Sequence, residues 1–394
     1  MTIKIASNTP LPVPHFALWD LGFRPFYLLA SIFAAISIPM WMLQYAGYLP
    51  VAYVRSMVWH GHEMLFGYTL AVITGFLFTA VRNWTGQPTP TGAALAAFAL
   101  LWVAGRVLVL TPFDLTAALV NAAFPVAVAV AIALPIFRSR NRRNYFLPLL
   151  LLLLGAAALS LHFSYAGLFA WPELAGVQVG LDLVLFVVAV ISGRVMPMFT
   201  NNGVPGANAV SKPLLEKFSL GSVMLLLATD LLQAPAAVIA VVAALAACVH
   251  AARLALWRPW RVVHAPLVWI LHAAYGWIVV YLLLRMLAAA GLVAAPLALH
   301  ALTIGAIGGM TIGMMTRTAR GHTGRMLTAD RVEVTCFVLV QLAAICRVLG
   351  GLFVSNAYMT TVVLSGACWS LAFALYAVRY WPILSMSRVD GKPG

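Results

Sequence analysis

The sequence predicts an all-α polytopic membrane bundle of about twelve transmembrane helices with both termini cytoplasmic. Three observations predict it. Only 9% of the 394 residues are charged, against about 25% in soluble domains. Apolar stretches long enough to cross a bilayer, which takes roughly 20 residues, recur along the whole chain. Basic residues gather in alternate loops, as insertion into a membrane requires. No soluble-looking block interrupts the pattern. Residues 1–394 therefore read as a single transmembrane domain, with a short polar N-terminal segment (1–22) and a short tail (380–394).

The spans fall in order at 25–45, 57–81, 92–111, 115–137, 146–168, 176–198, 215–232, 235–256, 266–288, 293–315, 332–351 and 357–379. The first follows a polar, Pro-rich segment and has no small-residue cleavage site after it, so no cleavable signal peptide is expected. The second opens on WHGHEM. The seventh is the shortest, and Gln233 and Pro235 separate it from the eighth. The tenth carries GAIGGMTIG, whose glycines permit close helix approach; no Lys-Ser/Thr pair follows, so this is not a phosphate loop. The cysteines Cys248, Cys336, Cys346 and Cys368 each lie in an apolar run and read as small buried hydrophobes.

Charge fixes the orientation. All but Arg55, Arg106, Arg285 and Arg347 of the 24 Lys and Arg residues fall on the side of the N-terminus, which is therefore the cytoplasmic side of an inner membrane. A net charge of +14 suggests nucleic-acid binding at first sight, but short-loop topology signals account for it. Trp84, Trp171 and Trp260 sit at interface depth.

Topology turns the histidines into depths. His60 and His62 lie roughly 5–8 Å below the outer boundary, and His300 at roughly 10 Å, at 1.5 Å per residue. His162 closes the fifth span on the same side. His272 lies toward the cytoplasmic end of the ninth span, and His322 lies in the next inner loop. Neutral imidazole ligates iron and copper well, and four histidines from three helices in one leaflet form a candidate metal set: His60, His62, His162 and His300. A haem b with bis-His or His–Met ligation and a His-bound copper both satisfy that pattern; the absence of CxxCH excludes covalent haem. Hydrogen-bonded packing is the alternative for each histidine.

Residues two apart on a helix face nearly opposite ways, so His60 and His62 are not expected to share one metal. Glu63 and Met64 should lie on the face of His60, where Glu63 could orient the imidazole or carry protons and Met64 could be a soft ligand. Arg194 reads as an interfacial anchor or as the partner of a haem propionate. Arg106, Asp114 and Arg285, near the outer edge, are expected to pair with one another or with a cofactor carboxylate. The inner loop MTRTARGHTGR could hold a lipid head group or a propionate, or be a topology loop only.

Beyond these residues, GFRPFYLLA at 22–30, WHGHEMLFGY at 59–68, GFLFTAVRNWTG at 75–86, SGRVMPMFTNNG at 192–203, WILHAAYGW at 269–277, HALTIGAIGGMT at 300–311 and MMTRTARGHTGR at 314–325 together resemble the NnrS family. These are haem- and copper-containing membrane proteins of the bacterial nitric oxide response. The family usually reads WHAHEM where Gly61 stands here. The resemblance marks Glu63 as a catalytic candidate, and His60, His62, His300, Arg194, His272, Arg317, His322 and Arg325 as candidates for holding a cofactor, without assigning each a role. The span count, with His on spans two and ten, also resembles the catalytic subunit of haem–copper oxidases and nitric oxide reductases at fold level, but the paired His of the tenth span and a copper-binding set on the sixth and seventh are missing, so their active site is not carried over.

Three functions follow as expectations. The first is a haem centre, with or without copper, that binds or turns over nitric oxide or a derived nitrosyl species using an electron donor. The second is a transporter of a metal or nitrosyl–metal species, and the third a protein that holds haem or copper for delivery. Membrane lipids are expected partners; nucleic acid is not.

Overall fold

The computed structural model describes residues 15–392 except 51, 52, 55, 169, 173 and 355–357, so Lys4 and Arg55 of the charge pattern lie outside the described residues. Among the described residues the chain is helical throughout, with one isolated β-bridge between Phe16 and Met386. All twelve expected spans coincide with helices. These are α1 (Phe23–Tyr45), α2 (Ser56–His62, Glu63–Thr69 and Leu70–Thr85, one continuous rod), α3 (Gly92–Leu108), α4 (Asp114–Arg138), α5 (Phe146–Tyr165) and α6 (Ala175–Gly203). They continue with α7 (Pro213–Leu231), α8 (Ala236–Leu256), α9 (Pro266–Ala289), α10 (Ala295–His322), α11 (Arg331–Phe353) and α12 (Tyr358–Ser385).

Ten of the twelve are long and apolar enough to cross a bilayer. The other two are α3, with 17 residues, and α7, which carries Glu216, Lys217 and Asp230. Helix starts follow local chemistry. Proline stands in the first turn of α7, α9 and α10, where its missing N–H costs nothing. Asp330 and Glu333 form a reciprocal capping box that begins α11.

Sequential helices pack as neighbours, and α1 closes the bundle against α12. The two chain ends meet there, where Ala17 N–H donates to Ser385 C=O at 2.8 Å. Arg24, fully buried at the start of α1, donates to Leu384 C=O and Met386 C=O at 3.0 and 2.7 Å. Both described ends thus share one side of the bundle, as the charge pattern requires.

The central helix is α2: 83% of its apolar window is buried inside the protein, against 33% for α8. Mid-length, α2 and α10 each widen into a π-helix, at Glu63–Thr69 and Ala301–Gly308. Such wide turns leave carbonyls without ordinary partners, and Thr69 Oγ1 takes up one by donating to Met64 C=O at 2.8 Å. Glycine makes the crowding tolerable. A Cβ at Gly67 would meet Phe33 at 2.8 Å and the Arg106 guanidinium, and one at Gly305 would run into the Trp277 ring. Tyr68 and Thr311 hydroxyls, 2.5 Å apart, tie α2 to α10.

Candidate functional site

Two sites grow from adjacent turns of α2. His60 and His62 face apart, as their spacing predicts, and each enters a different environment.

His60 opens into a mainly apolar cavity of about 190 Å3 bounded by α1, α2, α6, α10, α11 and α12. His300 enters the same cavity from α10. The two imidazoles are nearly parallel, 14° between planes, with ring centroids 6.4 Å apart. Trp41 of α1 stacks on His60 at 4.6 Å and fixes its ring. His300 Nδ1 donates to Pro296 C=O at 2.6 Å, which leaves the Nε2 lone pair free. His60 Nδ1 is buried without a partner. Met64 and Thr303 also line the cavity, as does Arg347. Arg347 Nη2 donates to Tyr358 OH at 2.8 Å, whereas its Nη1 is buried and unpartnered.

His62 enters a closed polar chain. Its Nδ1 donates to Glu63 Oε1 at 2.7 Å, and its Nε2 lies 3.1 Å from His162 Nε2. Tyr53 OH lies 3.0 Å from His162 Nδ1. One assignment satisfies every bond with both rings neutral: Tyr53 donates to His162, His162 to His62, and His62 to Glu63. Arg106 closes the chain, donating to Glu63 Oε1 at 2.8 Å and to Asn121 Oδ1. The Tyr53 hydroxyl, at the outer end, is pushed up to about 12, chiefly by burial and next by Asp114 and Tyr165.

Several expectations need correcting. Glu63 does not serve His60; the π turn that starts at Glu63 swings its carboxylate to His62 and Arg106. Arg106 and Arg285 do not pair with Asp114, whose carboxylate accepts from the Leu115 N–H at 2.7 Å. Arg285 instead meets Asp182 and Asp230. The remaining candidates lie away from the cavity. Arg194 donates to Asn144 Oδ1 and Arg143 C=O, an anchoring arrangement. Both His272 nitrogens are occupied, Nδ1 by Val268 C=O and Nε2 by Thr200 OH and Trp257 C=O. His322 packs against Phe23, and Arg317 lies over the Phe199 ring. Arg325 donates to Thr323 C=O. None of these five lines the cavity.

Trp41 and Arg347 were missed as site residues. Arg347 had one signal, being among the few cations outside the cytoplasmic set. Trp41 had none, since aromatic residues in spans are common.

Fold and site define a polytopic helical membrane protein with paired imidazoles in an apolar pocket of its outer half. The chain belongs to the NnrS family: the family profile, described as NnrS protein, matches residues 17–388. Membership makes it a membrane protein related to the nitric oxide response. No curated relative matches the chain.

Proposed function

We propose that the chain holds a haem b between His60 and His300 and there binds or detoxifies nitric oxide or a nitrosyl species derived from it, in a bacterial inner membrane. One observation carries this reading: two near-parallel imidazoles, 6.4 Å apart, face a shared apolar cavity. They are too far apart for a direct hydrogen bond. The donor set fits the group: the His60 and His300 imidazoles would hold its iron, and the buried, unpartnered guanidinium nitrogen of Arg347 would meet a propionate. When bound, a haem would supply an iron able to take a small diatomic ligand.

The protein's own residues do the rest. Pro296 C=O keeps the His300 proton on Nδ1 and its Nε2 available. Trp41 holds the His60 plane, and the apolar wall of Ile38, Leu65, Val177, Leu181 and Ile304 excludes water.

Copper fits less well. The natural place is His62 with His162, but one Nε2 there donates to the other, and a metal needs both lone pairs. Among the described residues no group of three or more His, Cys, Asp or Glu could hold a metal. No step is assigned to copper.

The test is haem content and absorption spectra of the purified protein, oxidised, reduced and with nitric oxide added. Near-stoichiometric haem is expected, lost in His60→Ala and His300→Ala and retained in His272→Ala and His322→Ala. A monodisperse, haem-supplemented preparation without haem overturns the reading, as does loss in His272→Ala with His300→Ala silent. Consumption of nitric oxide with an electron donor then separates turnover from holding, and uptake into proteoliposomes tests transport.

A further inference from the structure

On the face of α6 turned away from the haem pocket, a second buried polar cluster lies in the outer half of the bundle. Asp182 follows Leu181, which lines the pocket, by one residue and so points about 100° around the helix. Asp182 is fully buried. Asp230 of α7 meets it carboxyl to carboxyl. Arg285 of α9 is the single cation of the cluster. It donates to Asp230 Oδ1, lies 3.6 Å from Asp182 Oδ1, and donates to Tyr281 OH at 2.6 Å. Gln178 adds one bond, Nε2 to Asp182 Oδ1 at 3.2 Å. Tyr281, Gln178 and Arg285 are the polar groups that face the two carboxyls from α6 and α9.

The accounting leaves a surplus. Two carboxylates against one guanidinium would place an uncompensated negative charge inside the membrane domain, where buried ions are strongly disfavoured. The same two side chains also leave two atoms unsatisfied. Asp182 Oδ2 and Asp230 Oδ2 are both sealed from solvent, and neither has a donor. Two facing acceptors without a donor repel each other, and like carboxylates at one site cannot both ionise.

We propose that Asp182 and Asp230 bind one proton between them, as a proton-holding carboxyl pair neutralised by Arg285. The shared proton supplies a donor where both carboxyls lack one, and it brings the cluster to zero charge. Asp182 is the protonated member, because Arg285 makes its close contact with Asp230 and stands farther from Asp182. Both oxygens are closed to a water-sized probe, so the site admits a proton where a hydrated cation would not enter. This site does not depend on haem, and it stands or falls separately from the reading of the His60–His300 pocket.

Infrared spectroscopy of the full-length protein in nanodiscs tests it. At neutral pH the carbonyl region should contain a protonated-carboxyl band that shifts in D2O and with Asp-specific 13C labelling. The label is selective, since the other four aspartates, Asp20, Asp114, Asp330 and Asp390, all reach solvent. The band should vanish in Asp182→Asn, whose amide reproduces the shape and the donor of the protonated acid. It should vanish also in Asp230→Asn, where Asp182 ionises against Arg285. Asp182→Asn should keep the wild-type melting temperature. If either variant fails to fold, the labelled wild-type band decides alone. Absence of a labelled band at neutral pH overturns the proposal. So does a band unchanged in both folded variants, or one that disappears on adding sodium, which would make the ligand a metal cation.

Discussion

His60 and His62 are separated by one glycine, yet their surroundings are opposites. Around His62 both ring nitrogens are bonded: Tyr53, His162, Glu63, Arg106 and Asn121 form one continuous chain, in which Arg106 Nε is the atom left without a partner. Around His60 the nitrogens are left open, with His60 Nδ1 and Arg347 Nη1 unpartnered and the His300 Nε2 lone pair turned loose in an apolar cavity. A buried polar group with nothing to bond weakens a fold, so a pocket that collects several of them is built for an occupant. A chain that bonds both nitrogens of its imidazoles is built to hold helices together. Histidine identity alone does not distinguish the two; the state of its second nitrogen does.

Mutations should separate the regions along that line. The largest stability effect is expected from Arg106→Ala, which strands the Glu63 carboxylate in the bundle. A loss of about 3–5 kcal/mol follows from breaking a buried ion pair on one side, read by thermal unfolding in detergent. His62→Ala should cost about 1–3 kcal/mol by leaving His162 and Glu63 each one bond short, while the purified protein keeps its haem. His60→Ala and His300→Ala should reverse the pattern, with haem lost and the apoprotein destabilised by no more than about 1 kcal/mol, since no hydrogen bond to another side chain is removed. Equal destabilisation by His60→Ala and Arg106→Ala would erase the distinction between pocket and scaffold.

The smallest effect lies outside both regions and calibrates them. Burial alone would raise the Asp330 carboxyl, but hydrogen bonds from Arg379 and the Glu333 N–H, with the charge of Arg320, hold it below its ordinary range. A depressed carboxyl stabilises the fold above the unfolded value, about 3.9, and that contribution is lost as pH falls through the lower folded value. Asp330→Ala should cost about 1 kcal/mol at neutral pH through the lost cap and flatten this acid arm of the stability profile. The measurement is the melting temperature across pH 2–7, on the order of the carboxylate range.

Periodicity carried much of this into the sequence. Twelve apolar runs became twelve helices, and a spacing of two sent His60 and His62 to opposite faces. Comparable depth paired His300 with His60 or His62, and across seven intervening helices it is His60 that stands beside it. What remained hidden depends on local departures from the regular helix or on unshared chain neighbours. The π turn at Glu63 redirects a carboxylate that ideal α geometry would place under His60. Asp182, Asp230 and Arg285 come from three helices, and nothing in their spacing announces that they meet.

The buried arginine at the start of α1 ties the protein to its own order of synthesis. Arg24 stands in the first turn of α1, but its acceptors, Leu384 C=O and Met386 C=O, lie 360 and 362 residues further along the chain. The joint between α1 and α12 therefore cannot form until both helices are made. A chain cut short before residue 384 would lack both acceptors and leave the Arg24 guanidinium unanswered at the start of α1.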